Sequence, residues 1–300
     1  MKTSNHLLRR LTAALLAAVL ALSIALPVFA SDDGDTIYIN SVSDLLSLAR
    51  NCAYDQWSVG KTVILQKDLS LEGMLWEPIP SFSGQFKGNG HTISDLTITG
   101  QYSPAGLFGI VEEQGSIESL SVRGVVSVSD SADTTTGGIV GINHGTLISC
   151  QFTGVVTGDS EVGGIVGRNE SEGTIDHSTA RAIVTGKSST GGIAGYNLGA
   201  ITGCTNVGSI NTEYPEASLD TDGFTAKMVD YINNKMAAAD DDATNSVTNV
   251  ATDTGGVAGR SSGMILTSVN TGTIGYEHVG YNVGGIVGRT DGLVSGCVNQ

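Results

Sequence analysis

Aromatic residues make up only 5% of the 300 residues. Aromatics carry much of the core burial in globular enzymes, so their shortage argues against a compact globular catalyst. Basic residues are also few: 15 Lys and Arg stand against 30 Asp and Glu. Nucleic acid and anionic lipid both call for a basic surface, so neither is expected as a partner. The histidines, His6, His91, His144, His177 and His278, never form His-Glu-x-x-His, which excludes that zinc protease signature. The four cysteines include no Cys-x-x-Cys, so a metal site is not expected among them. Long apolar runs are missing except for Leu11 to Pro27.

That single run follows Lys2, Arg9 and Arg10 and precedes Val28-Phe29-Ala30, a small-residue cleavage site. The pattern is that of a secretory signal over residues 1–30, with a mature start at Ser31. The run is short for a membrane span, so no membrane association is expected after cleavage. With the three signal cations gone, 12 basic and 30 acidic side chains remain, a balance of −18. Such a chain repels itself and stays soluble.

Glycine is abundant, at 41 residues, and it repeats. Gly137-Gly138-Ile139-Val140-Gly141 returns at 163–167, 191–195, 255–259 and 284–288, with a diverged copy at Ala105-Gly106-Leu107-Phe108-Gly109. The structural glycines are thus Gly106, Gly109, Gly138, Gly141, Gly164, Gly167, Gly192, Gly195, Gly256, Gly259, Gly285 and Gly288. The steps between copies are 32, 26, 28, 64 and 29 residues. A coil of that length fits three short strands and three turns. Self-similarity at this period marks stacked repeats that bury their apolar faces only against their neighbours. The expected fold is all-β, a parallel β-helix or β-solenoid with an N-terminal helical cap and one helical insertion.

Aligned columns support that reading. Leu120, Cys150, Ser178, Cys204, Ser268 and Cys297 occupy one position, read as small and inward, where free cysteine behaves as a minor hydrophobe. Cys150 and Cys204 fall two layers apart, near 10 Å for strands spaced at roughly 4.8 Å, too far for a disulfide. Val126, Val156, Val184, Ile210 and Ile274 make a second column. Asn143, Asn169 and Asn197 make a third, read as left-handed turn residues whose amides bond from layer to layer.

The organisation reads as a signal at 1–30, an N-terminal cap and first coils at 31–104, repeats at 105–212, a helical insertion at 213–248, and further coils at 249–300. In the cap, Ser41 and Asp44 start an amphipathic helix over Val42 to Cys52. Trp57 and Trp76 are read as anchors of the cap core. The 64-residue step holds the insertion, where Phe224, Met228 and Tyr231 share a helical face and are the best candidates for recognition. The sequence ends inside a coil and reads as a fragment.

The stretch Gly84-Gln85-Phe86-Lys87-Gly88-Asn89-Gly90-His91-Thr92-Ile93-Ser94-Asp95-Leu96, followed by Gly106-Leu107-Phe108-Gly109 and the Gly-Gly-Ile-Val-Gly series, resembles the GLUG-motif repeat family. Such repeats occur in large exported bacterial proteins. These include adhesin-like surface proteins and the non-catalytic N-terminal part of some immunoglobulin-A metalloproteases. The resemblance implies a non-catalytic β-solenoid segment, secreted or at the cell surface, with further C-terminal modules. A host or cell-wall protein or glycan is the expected partner.

No cofactor is expected. A phosphate-binding glycine loop is used once, before a helix, whereas this motif recurs. His177 is not read as a triad member beside Asp176 and Ser178, because strand neighbours point to opposite faces. The alternative function is a carbohydrate-active β-helix enzyme, a polysaccharide lyase or hydrolase. It would need a column of carboxylates, and Asp159, Glu161, Glu170 and Glu172 do not form one.

Overall fold

The computed structural model describes residues 35–54, 56–128, 134–212, 253–275 and 282–300. The signal segment and the 213–248 insertion, with Phe224, Met228 and Tyr231, lie outside the described residues. Among the described residues every strand pair is parallel and joins one coil to the next. The expected parallel β-solenoid is therefore observed.

Four sheets form its walls. The first runs through nine strands, from Thr36–Ile39 to Leu293–Ser295. The second runs from Leu69–Ser70 to Val298–Asn299, and the third through seven strands from Ile79–Phe82 to Val287–Thr290. The fourth has five strands and begins only at Thr135–Gly137. Later coils thus hold four strands, not three: Thr135–Gly137, Val140–Asn143, Thr146–Ile148 and Gln151–Thr157 make up one coil. The glycine motif read as a single unit contains a corner at residues 138–139, which splits it between the fourth and third walls.

The core follows from register. Phe86, Ile117, Leu147, Ile175, Ile201 and Ile265 stack in the first wall and are fully buried. Val126, Val156, Val184, Ile210 and Ile274 stack in the second wall, as expected. Burying such a side chain stabilises by about 1.5–3 kcal/mol. Aromatics collect at the N-terminal end, where Phe82, Phe86 and Phe108 lie with ring centroids 5.4–6.3 Å apart.

Helix α1, Val42–Asn51, packs at that end against the first strands of the first and third walls. Ser41 accepts a hydrogen bond from the Asp44 amide at 3.2 Å, and the Asp44 carboxylate accepts from the Asn40 amide at 3.0 Å. The helix thus starts where the sequence placed it, with Leu45 and Leu48 buried. Trp76 is buried, and its indole N–H donates to the Leu107 carbonyl at 3.2 Å. Trp57 is half-buried under Lys61, whose Nζ lies 5.4 Å from the ring centroid.

The 64-residue step is a single layer of the stack: Ala194 pairs with Ala258 and Ser189 with Asp253. Removing 213–248 would leave six residues between Ile210 and Asp253, where four join the equivalent Val184 and Ser189. The shortened chain is expected to keep its strand circular dichroism and its cooperative melt. Loss of both would contradict the side-excursion reading.

None of the twelve repeat glycines has a positive φ. They are required by close approach. A Cβ on Gly138 would strike the Phe152 ring of the second wall; one on Gly192, Gly256 or Gly285 would strike Asn206, Asn270 or Asn299 there. A Cβ on Gly167 would lie 2.6 Å from the Thr136 amide nitrogen and 2.8 Å from the Gly141 oxygen. The left-handed corner lies elsewhere, at Ser119, Ser149, His177, Gly203, Thr267 and Gly296, with φ between 45° and 65°.

The asparagine column differs from its expected left-handed turns. Asn143, Asn169 and Asn197 are buried strand residues, absent from the left-handed set. The expected ladder is present. Asn143 Nδ2 donates to Asn169 Oδ1 at 2.8 Å, Asn169 Nδ2 to Asn197 Oδ1 at 2.8 Å, and Asn197 Nδ2 to Ser261 Oγ at 3.1 Å. A second ladder, Asn206 to Asn270 to Asn299, has steps of 2.7 Å.

Candidate functional site: the outward face of the third wall

The five inner strands of the third wall bury three positions of four, in the order buried, buried, half-buried, buried. The outward position is the residue after each glycine core. Register stacks it as Ile110, Ile142, Arg168, Tyr196, Arg260 and Arg289. In a chain of net charge −15, this column gathers three arginines and a tyrosine.

The Arg168 guanidinium carbon lies 5.2 Å from the Tyr196 ring centroid, and that of Arg260 lies 5.0 Å away, one from each neighbouring coil. Such cation–π contacts are worth about 0.5–1 kcal/mol each at exposed sites. Tyr196 Oη lies 3.2 Å from Ser262 Oγ. Arg168 is held by carboxylates: Nη1 donates to Glu161 Oε1 at 2.9 Å, and Nε lies 2.8 Å from Glu170 Oε1, though off the line of a hydrogen bond. Burial pushes the Glu161 carboxyl above its ordinary value, against the opposing pull of Arg168. Among the described residues, no carboxylate lies within ion-pair distance of Arg260 or Arg289. Asp291 sits nearby; a hydrogen bond from Ser262 lowers its carboxyl, and the two arginines add to the effect.

A groove of roughly 740 Å³ lies at the other end of the solenoid, lined by Leu46, Arg50, Tyr54, Leu75, Glu77 and Pro78 among others. Tyr54 and Leu75 are each 71% exposed.

His177 was expected to point away from Asp176. The structure brings them together, with Nδ1 at 2.9 Å from the carboxylate. The left-handed φ of 45° at His177 breaks strand alternation. Ser178 turns inward, accepting from the Cys150 amide at 3.1 Å and donating to the Asp176 carbonyl at 3.1 Å, so these neighbours do not form a triad. Asp159 pairs with Lys187 at 2.6 Å.

The four cysteines are free thiols. Cys150 and Cys204 lie in the inward column, and burial raises both from 9.0 to about 12. Because the folded pKa is raised, this contribution to stability is complete below about pH 9 and is lost as pH climbs through about 12. Native protein titrated with a thiol-specific reagent at neutral pH is expected to leave the three buried thiols unmodified. Cys52, Cys150 and Cys204 are expected to react only on unfolding; rapid labelling of Cys150 in the native state would contradict the assigned packing.

The outward column is the residue after each glycine core, and its residue type varies from coil to coil, so it carries no recurring sequence signal. The fold and this column define a class: a parallel β-solenoid whose coils each present one side chain along a fixed line. The GLUG motif matches residues 158–185, one such coil, so the resemblance read from the sequence holds there.

Halomucin from Haloquadratum walsbyi is 30% identical over 155 residues, which is 47% of this chain and 2% of that protein. A protein described as a Gly-rich membrane protein from Evansella cellulosilytica is 29% identical over 137 residues, 33% of this chain and 16% of that protein. The chain therefore spans only a small part of the length of either relative. A crystal structure described as that of an immunoglobulin A1 protease from Bacteroides ovatus superposes with a TM-score of 0.59 at 18% identity. That match covers 87% of this chain and 74% of the other, and it shows the shared fold. No helix among the described residues is long and apolar enough to cross a membrane.

Proposed function

We propose that this chain is an exported, non-catalytic segment of a bacterial surface protein, a β-solenoid that displays a binding face to a host or cell-wall protein or glycan. The observation that carries the reading is the third-wall column, where one side chain per coil reaches solvent at a fixed layer spacing. A repeat scaffold of this kind spends its interior on stacking and its outward positions on recognition. The signal-like first 30 residues and the acidic balance support export. The similarity to a halomucin and to a protein described as a membrane protein supports a surface location.

A second reading, a passive stalk, is favoured by the unbroken first-wall register from Thr36 to Ser295. The full chain on a glycan and host-protein array separates the two. Saturable capture supports display, and uniform absence of capture supports the stalk. Cleavage of acidic polysaccharides would support the enzymatic alternative; Glu161 and Glu170, the carboxylates closest to such a role, are both engaged by Arg168.

A further inference from the structure

The second wall carries an apolar stripe on its outer face. Val125, Val155 and Ile183 stack there in register. Each precedes a core valine, Val126, Val156 or Val184, so strand alternation turns it away from the interior. All three lie outside the contiguous core, yet they are only 1%, 0% and 5% exposed. Their outward neighbours do not hide them: Ser127, Thr153, Thr157 and Thr185 are part-exposed, and Arg123 and Arg181 are exposed. The burial is confined to these three coils, since Thr97 before them and Ser209 after them in the same column are part-exposed. Branched side chains that face outward and are still hidden from water lie under a cover.

We infer that the insertion at 213–248 is that cover, and that its Phe224, Met228 and Tyr231 face docks on the stripe of its own chain instead of on a partner. Three observations select this occupant. The first is where the chain departs: Ser209 pairs with Ile183 and Ile210 with Val184, and the insertion follows directly. The second is length. On a helix rising about 1.5 Å per residue, Phe224 and Tyr231 stand about 10 Å apart. Val125 and Ile183, two layers apart, are separated by about the same distance. The third is charge. Residues 213–248 hold eight Asp and Glu against two Lys, a net −6, and Arg123 and Arg181 flank the stripe on the wall. Other segments fit less well. Residues 129–133, Ser-Asp-Ser-Ala-Asp, bring no large apolar side chain. Residues 276–281 follow a strand two layers beyond Ile183. The signal precedes the first wall, at Thr36–Ile39, and is expected to be cleaved. Docking spends the insertion on its own scaffold and leaves the third wall as the free face.

The test places a thiol in the stripe. V155C in the full chain is titrated with a maleimide, and peptide mass spectrometry separates the introduced thiol from the native cysteines. Labelling is expected to be at least about tenfold slower than in T153C, whose position on the same strand reaches solvent. Adding F224S, M228S and Y231S together to V155C is expected to bring its rate up to that of T153C. Deleting 213–248 is expected to do the same, with a cooperative melt retained in both. V125C gives the same readout should V155C fail to fold. Equal labelling of V155C and T153C in the full chain would overturn the proposal, because the stripe would then be open. Slow labelling that survives both the triple substitution and the deletion would overturn it by assigning the cover to another segment. Protection that rises with protein concentration would overturn it in favour of a second copy of the chain. The third wall takes no part in any of these readouts, so the outcome is independent of the surface-display reading.

Discussion

Replacing Asn169 by valine is expected to destabilise the protein by about 2–6 kcal/mol, because each buried polar group left unpaired costs about 1–3 kcal/mol. Asn169 is an inner rung of its ladder, accepting from Asn143 Nδ2 and donating to Asn197 Oδ1 at 2.8 Å each. Valine removes both, leaving one N–H of Asn143 and the Oδ1 of Asn197 unpaired. Asn143→Val is the control. Asn143 Oδ1 already lacks a partner, and the coil before it carries Val111 at this position. That change exposes one orphan, Asn169 Oδ1, and removes another, so it is expected to be close to neutral. Denaturant melts of the two variants check the contrast; equal losses would mean that the ladder does not act through its internal hydrogen bonds.

Gly164→Ala is expected to cost about 3 kcal/mol, at the upper end for overpacking a well-filled site. The added Cβ would run into the Gly192 carbonyl of the next coil and lie 3.0 Å from the Ala180 Cβ of the second wall. Neither neighbour is a flexible side chain that can swing away. Gly109→Ala provides the comparison, since its Cβ would meet the Ile79 and Pro80 oxygens at 3.2 Å, and it is expected to cost clearly less. A conformational account of the glycines would instead make the two substitutions similar, because neither position has a positive φ.

These two cases mark where the sequence was legible and where it was not. Register could be read from spacing, because identical columns must stack when coils of similar length pair in parallel. The Val126 to Ile274 column and the Leu120 to Cys297 column both came through unchanged. Backbone handedness could not, because the left-handed corner is filled by Ser119, Ser149, His177 and Thr267 as well as by Gly203 and Gly296. No single residue type marks it. The fourth wall was hidden inside the glycine motif, whose first residue closes one strand while its last two residues open another.

The candidate site was legible in position but not in meaning. Ile142, Arg168, Tyr196, Arg260 and Arg289 differ from one another, and a search for recurrence passes over a column that varies. Their contact emerges only when consecutive coils are stacked, which brings residues 64 positions apart, Tyr196 and Arg260, side by side. The second asparagine ladder was missed for a related reason. Its column begins as Leu69, Ile93, Val122, Phe152 and Ala180 and turns to asparagine only from Asn206 onward.

The central claim is that this solenoid faces the outside of the cell and presents its third wall there. Antibody raised against the folded chain, applied to intact and to lysed cells of the source organism, tests it most directly. The account predicts equal labelling of both, and loss of the intact-cell signal after brief external proteolysis. Labelling that appears only after lysis would contradict it.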